Sequence, residues 1–147
     1  MGVKYAVIGG IAVSFRSVIR TTNDLDLAVV VNDDAGAESI VRALIGLGYR
    51  AEVLLENDVS GRLETVRMIS PGEREVFGNS SPIEIFPGLT LPVASRSALI
   101  ALKVLSANPK TRGKDITDLQ NLLNAAAPNG VIEARELLEL ITKRGYN

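Results

Sequence analysis

The chain has 147 residues, 46% of them hydrophobic, with a formal net charge of −1 and a pI of about 5.5: enough apolar material for one core, and too little chain for two ordinary domains. Bulk charge advertises no nucleic acid, so any RNA or DNA contact has to come from a local basic patch. There is no cysteine and no histidine, which excludes disulfides, thiol chemistry, Cys/His zinc sites and Ser-His-Asp triads and leaves carboxylates, lysines, arginines and hydroxyls to do any chemistry. No apolar run reaches the length of a membrane span and Met1-Gly2-Val3-Lys4 is not a signal peptide, so a cytoplasmic location without membrane contact is the expectation.

From Lys4 to Ile8 the apolar run reads as a core strand, closed by Gly9-Gly10. A short helix follows from Ile11 to about Val18, with Ile11, Val13, Phe15 and Val18 giving it a partly apolar surface. The turn offers free backbone N–H groups at a helix N-terminus, where phosphate oxygens bind well, which makes Gly9 and Gly10 nucleotide-binding candidates. In Asp24-Leu25-Asp26-Leu27 charged and apolar residues alternate with period two, so on a strand both carboxylates share one face and both leucines the other. Ala28-Val29-Val30-Val31 continues as a buried strand with no cation between the two acids. Same-face carboxylates repel, so something positive belongs between Asp24 and Asp26; a hard divalent cation, Mg²⁺ or Mn²⁺, shared with substrate phosphates is the economical answer. Taken singly, a Gly pair before a helix and a D-x-D on a strand are commonplace, and it is their order and spacing that carry weight.

Asn32-Asp33-Asp34 reads as a turn and N-cap for a helix carrying Ile40, Val41, Leu44, Ile45 and Leu47, ended by Gly46 and Gly48, with Glu38 and Arg42 as a solvated pair four apart. Residues 50 to 56 and 62 to 69 are predicted to form a hairpin across Asn57-Asp58-Val59-Ser60-Gly61; Arg62, Glu64 and Arg67 lie on its exposed face, with Arg67 a neighbour to the phosphate site. Ile83-Glu84-Ile85 has the alternation of a strand, and Leu89 to Ala94 is extended. Ser95 caps a helix from Arg96 to about Ala107 with Leu99, Leu102, Val104 and Leu105 inward, and Pro109 stops it. Two more helices run from Gly113 to Leu123, with Ile116, Leu119, Leu122 and Leu123 on one face, and from Glu133 to Arg144, joined by a linker at Ala125 to Gly130. The expected fold is α+β: residues 1–94 form a mixed sheet with helices, and residues 95–147 a helical part packed on it as one compact unit.

Lys103 sits among Leu99, Ala101, Leu102 and Val104, where an ammonium either snorkels to water or meets an anion. Asp115 and Asp118, three apart, share a helix face near its N-terminus, where their charge complements the dipole. Simple capping explains them as well as a site does, but a buried-looking lysine across a tight interhelical turn favours a joint role.

An apolar residue, Gly, Gly, thirteen residues, then Asp, apolar, Asp, apolar, here Ile8-Gly9-Gly10 to Asp24-Leu25-Asp26-Leu27, resembles the signature of the nucleotidyltransferase (polymerase beta-like) superfamily. Arg20-Thr21-Thr22-Asn23-Asp24 resembles the R-x-T-x-D-x-D pattern of minimal prokaryotic nucleotidyltransferases and the toxin-type relatives of abortive-infection systems. The apolar helix with Lys103, followed by the R-x-K-D-x-x-D-L run from Arg112 to Leu119, resembles the same toxin-type proteins. The resemblance implies a nucleotidyltransferase-like fold, Arg20 and Thr22 beside Gly9 and Gly10 at a nucleoside triphosphate, and Asp24, Asp26, Lys103, Asp115 and Asp118 as catalytic residues with metal on Asp24 and Asp26. It further implies transfer of a nucleotidyl group to an acceptor hydroxyl on RNA, such as tRNA, or on protein, and a toxin whose partner is an antitoxin. Such relatives usually carry a helix before the first strand and a third carboxylate on a V-D-L-L-F strand. This chain opens on the strand, which suggests a spare or truncated start, and Val76 is followed by Phe77-Gly78-Asn79. The third acid is thus left among Glu75, Glu84 and a residue absent from the chain between Val76 and Phe77.

The rival reading is a non-catalytic module of the same fold, binding nucleotide or a partner, with the third acid lost. Against it, a module free of catalysis has no need to keep two repelling carboxylates together. For the enzyme, the Lys103 ammonium is expected to point toward Asp24 and Asp26, and Lys103→Met to cost little stability.

Overall fold

The fully buried pairs Ala6-Val7 and Val93-Ala94 set the centre of the sheet, because they belong to its two inner strands, β1 (Lys4–Ile8) and β4 (Leu89–Ala94). The computed structural model describes residues 2–23, 25–49, 78–106 and 113–143. Asp24, Glu75, Arg67 and the hairpin expected over 50–56 and 62–69 lie outside the described residues. Among these, four strands form one sheet in the order β2-β1-β4-β3, with β2 at Asp26–Val30 and β3 at Ser80–Phe86. β1 and β4 run parallel with Val7 opposite Val93, and β3 pairs antiparallel with β4, so the sheet is mixed and the fold α+β as expected.

The parallel pair has a consequence for position. Strands β1 and β4 end at the same edge of the sheet, and each is followed there by a helix: α1 (Gly9–Arg16) after β1 and α3 (Arg96–Ser106) after β4. Ligand sites of α/β sheets gather at such carboxyl edges, where helix N-termini converge. Helix α1 begins at Gly9 itself rather than at Ile11 and stops at Arg16, short of Val18; it buries Gly10, Ala12 and Val13, while Phe15 and Val18, read as part of its apolar surface, are 42% and 56% exposed.

Strands β3 and β4 form a hairpin closed by Pro87-Gly88. Proline presets φ at the first central position of the turn and Gly88, at φ 81°, supplies the positive φ the second requires. Pro82 is tolerated because β3 is an outer strand of the described sheet.

Among the described residues three more helices belong to this unit: α3, α4 (Gly113–Asn124) and α5 (Pro128–Lys143). Ser95 caps α3 by accepting the Ala98 N–H at 3.1 Å, and Ser97, buried under α5, donates to Glu133 at 2.9 Å. Leu99 and Leu122 join Val7, Val13, Val93 and Ala134 in one core that spans sheet and helices, and each such fully buried side chain stabilises by about 1.5–3 kcal/mol relative to exposure. Val104, expected inward, is 41% exposed, and Leu123, expected on one face with the fully buried Leu122, is 39% exposed. Helix α5 starts at Pro128, inside the segment read as linker, because a proline at the first helical position loses no hydrogen bond that the helix would have made.

The chain divides into two compact units, Met1–Val29 with Pro71–Asn147, described above, and Val30–Ser70. In the second, α2 (Asp34–Gly46) is capped by Asp33, whose carboxylate accepts the Gly36 N–H at 2.8 Å, and Gly48 at φ 90° turns the chain out of it. The Glu38–Arg42 pair forms at 2.8 Å on an exposed face, worth little.

Candidate active site

The Gly turn is shaped by what lies against it. Gly9 has φ 63°, and a Cβ built on it would overlap the Asp26 carboxylate, coming within 2.6 Å of its Cγ. A Cβ on Gly10 would meet Arg20 Nη2 at 2.7 Å and Thr22 Oγ1 at 2.9 Å. Both glycines are therefore required by close approach, one to the first residue of β2 and the other to the loop that leads into it. Strand β2 begins at the sheet edge where β1 ends.

From Arg20 the contacts run into the helices. Its Nη2 donates to Asp118 Oδ2 at 3.0 Å, and its Nε lies 2.9 Å from Oδ1, a charge contact out of line for a hydrogen bond. The Asp118 side chain, 2% exposed, also takes the Lys103 ammonium at 3.0 Å, and Lys103 donates in turn to Asp115. So helix α3 contributes a cation, α4 two carboxylates one turn apart, and the α1–β2 loop a second cation, in one nearly dry cluster. The two aspartates that looked like helix-dipole residues are buried, at 8% and 1% exposure, and their charge is matched by Lys103 and Arg20.

Asp26 stands apart in this charge arithmetic. It is exposed, and among the described residues no cation pairs with it. Its fellow acid Asp24 lies outside the described residues, as does any approach of Lys103 to it. Of the third-acid candidates, Glu75 is also outside, and Glu84 is remote: it sits on β3, two strands beyond β1, exposed and accepting the Gly88 N–H at 2.8 Å beside the hairpin turn. No group of three acids able to hold a metal ion occurs among the described residues.

One residue at the site escaped the sequence reading. Ser14, one turn beyond Gly10 on α1, donates to the Gly10 carbonyl at 3.0 Å and accepts the Arg20 N–H at 3.2 Å, pinning the loop over the Gly turn. Its only sequence signal is the four-residue spacing from Gly10, which is common in helices.

Placed against known structures, the chain is similar to an antigenic nucleotidyltransferase-like protein from Paracoccidioides brasiliensis, with a TM-score of 0.53 at 19% identity over 97% of this chain and 81% of that one. The fold is thus nucleotidyltransferase-like. A family model described as nucleotidyl transferase AbiEii toxin, type IV TA system, matches residues 2–147, and the chain belongs to that family. Membership implies an antitoxin partner. A comparison with curated proteins returns no match. Among the described residues no helix is long and apolar enough to cross a membrane.

Proposed function

We propose that the protein is a metal-dependent nucleotidyltransferase that moves a nucleotidyl group from a nucleoside triphosphate to an acceptor hydroxyl, on RNA such as tRNA or on protein, in the cytoplasm, and that this transfer is its toxic act. The observation that carries the reading is the uneven charge of the site: Asp115 and Asp118 are neutralised by Lys103 and Arg20, whereas Asp26 is exposed beside the Gly turn with no protein cation paired to it among the described residues. A lone hard carboxylate at a phosphate-binding turn fits Mg²⁺ or Mn²⁺, which Asp26 and Asp24 would hold together with substrate oxygens. Bound there, the ion would act as a Lewis acid toward the phosphoryl oxygens.

The chain's own groups have separate tasks. The backbone N–H groups after Gly9 offer donors to the phosphates, and the absence of a Cβ at Gly10 lets Arg20 and Thr22 close over them. Arg20, held from behind by Asp118, presents a fixed cation to the charge that develops on the leaving group, and Lys103 keeps Asp118 and Asp115 from repelling each other. In the transfer the acceptor oxygen bonds to the α-phosphorus, the bond to the β-phosphate oxygen breaks, pyrophosphate leaves, and the acceptor proton passes to a carboxylate oxygen of the Asp24–Asp26 pair.

The test is transfer of label from each α-labelled triphosphate to total RNA and to protein, with Mg²⁺ or Mn²⁺ and with chelator. Wild type is expected to label one acceptor class only with metal. Asp26→Asn should lose transfer by a hundredfold or more, on the order of the loss when one charge-stabilising group is deleted, with its melting temperature unchanged. Transfer by Asp26→Asn at the wild-type rate would sink the reading.

A further inference from the structure

The second concentration of charge in this unit is made of two arginines. Arg16, the last residue of α1, donates from Nε to the Ala94 carbonyl at 2.8 Å and from Nη2 to the Val93 carbonyl at 2.9 Å and the Ser81 hydroxyl at 2.7 Å. Arg96, the first residue of α3, donates from Nε to the Arg16 carbonyl at 2.7 Å and so caps the end of α1. Among the described residues neither guanidinium has a carboxylate in ion-pair contact. Burial, and then the charge of Arg96, lowers the Arg16 pKa from its ordinary value. The protein thus holds two cations side by side, fixes one edge of each with backbone carbonyls, and leaves Arg16 Nη1 and both terminal nitrogens of Arg96 donating to no protein acceptor among the described residues.

We propose that Arg16 and Arg96 form a phosphate subsite for the backbone of a single-stranded RNA acceptor. The inference rests on the nucleotidyl-transfer reading above. Position supports it: the pair lies at the carboxyl ends of β4 and α1, on the sheet edge that carries the Gly9–Gly10 turn, and α1 sets it about 10 Å from that turn along the helix axis. A small acceptor bound at the turn would end short of the arginines, whereas a polymer extending from its reacting hydroxyl would pass over them. Chemistry supports it too. With a net charge of −1 the chain has no general attraction for RNA, so contact has to be local, and planar forks pre-set by their Nε bonds suit the paired oxygens of a phosphodiester.

The experiment uses the full chain and a labelled single-stranded oligoribonucleotide, titrated by anisotropy at several salt concentrations without triphosphate or divalent metal. Triphosphate binding and RNA transfer are measured separately. Arg96→Gln is expected to weaken RNA binding and to lower the salt slope by about 0.7 for each phosphate the variant no longer neutralises, leaving triphosphate affinity as in wild type. Arg96→Lys keeps the charge and any fold the glutamine loses; it should retain the salt slope and bind RNA with intermediate strength. Equal RNA affinity and slope in wild type and both variants overturns the subsite, and if wild type still transfers to RNA the enzyme reading survives that failure. Loss of RNA affinity in Arg96→Gln, in a protein that transfers to nothing, keeps the subsite and sinks the enzyme. If an acidic peptide binds where RNA does not, and Arg96→Gln abolishes that binding, the subsite is overturned in favour of a protein ligand.

Discussion

Two kinds of aspartate occupy the site, and the difference between them governs what substitutions do. Asp118 is buried between Arg20 and Lys103, and Asp115 shares Lys103, so Lys103 is the counter-charge of two acids rather than an isolated snorkelling lysine. Lys103→Met would take from Asp115 and Asp118, one turn apart, the cation that they share. It should therefore cost about 3 kcal/mol, in the range for breaking a buried pair, and not the small loss that its apolar sequence neighbours imply; urea unfolding measures it. Gly9 is constrained twice, by φ 63° and by the Asp26 carboxylate packed on it. Gly9→Ala should cost more than about 1 kcal/mol and shift the Asp26 side chain, seen as weakened Mn²⁺ binding by calorimetry. At this scale much of the candidate site was legible: spacing marked Gly9, Gly10 and Asp26, the apolar setting of Lys103 and the shared helix face of Asp115 and Asp118 marked those three, and the family resemblance added Arg20 and Thr22; the fold brings all eight into a continuous run of contacts. What spacing could not supply was pairing: that the second cation of the helical cluster is Arg20, 98 residues distant in sequence from Asp118, depends on a tertiary contact no local pattern encodes.

Elements were read well where a strong local signal ended them and poorly where tertiary contact did. The Ser95 and Asp33 caps and the stop of α2 follow from residue chemistry, and the structure has them where that chemistry puts them. Helix α1 was misjudged at both ends. Its start at Gly9 is tolerated because Asp26 and Arg20 need the space a side chain would fill, and its end coincides with Arg16, whose guanidinium is engaged by β3 and β4. Gly-Gly has poor helix propensity and an arginine gives no stop signal, so neither boundary is written in the local sequence. The same reasoning makes Arg16 a tie between elements. Arg16→Met keeps the apolar stem but removes three hydrogen bonds, two of them to the Ala94 and Val93 carbonyls. At roughly 1 kcal/mol per bond it should cost about 3 kcal/mol, with amide exchange accelerating first at the end of β4.

For the molecule as a whole, the question is how a protein with a formal net charge of −1 would hold the polyanionic nucleotide of the proposed reaction. Arg20 and Lys103 are already engaged by Asp118 and Asp115, so the cluster around them is close to neutral, and Asp26 adds a negative charge at the turn where the triphosphate would lie. Triphosphate alone should then be repelled and bind weakly. Metal alone should also bind weakly, since Mg²⁺ held by one or two carboxylates relies on substrate phosphates to complete its shell. Together the two ligands would satisfy each other: an ion at Asp26 would offset its charge toward the phosphates, and phosphate oxygens would add to the ion's ligands. Ligand that binds only the folded state raises stability by RT ln(1 + [L]/Kd), about 2.7 kcal/mol at a hundred times Kd. The melting temperature is therefore expected to rise clearly with a non-hydrolysable triphosphate and Mg²⁺ added together, and hardly at all with either one or with both in excess chelator. Asp26→Asn should abolish the joint shift while melting at the wild-type temperature without ligand. A triphosphate shift of equal size in chelator would mean that Arg20, Lys103 and the Gly turn suffice for binding, and the metal-dependent reading would fall with it.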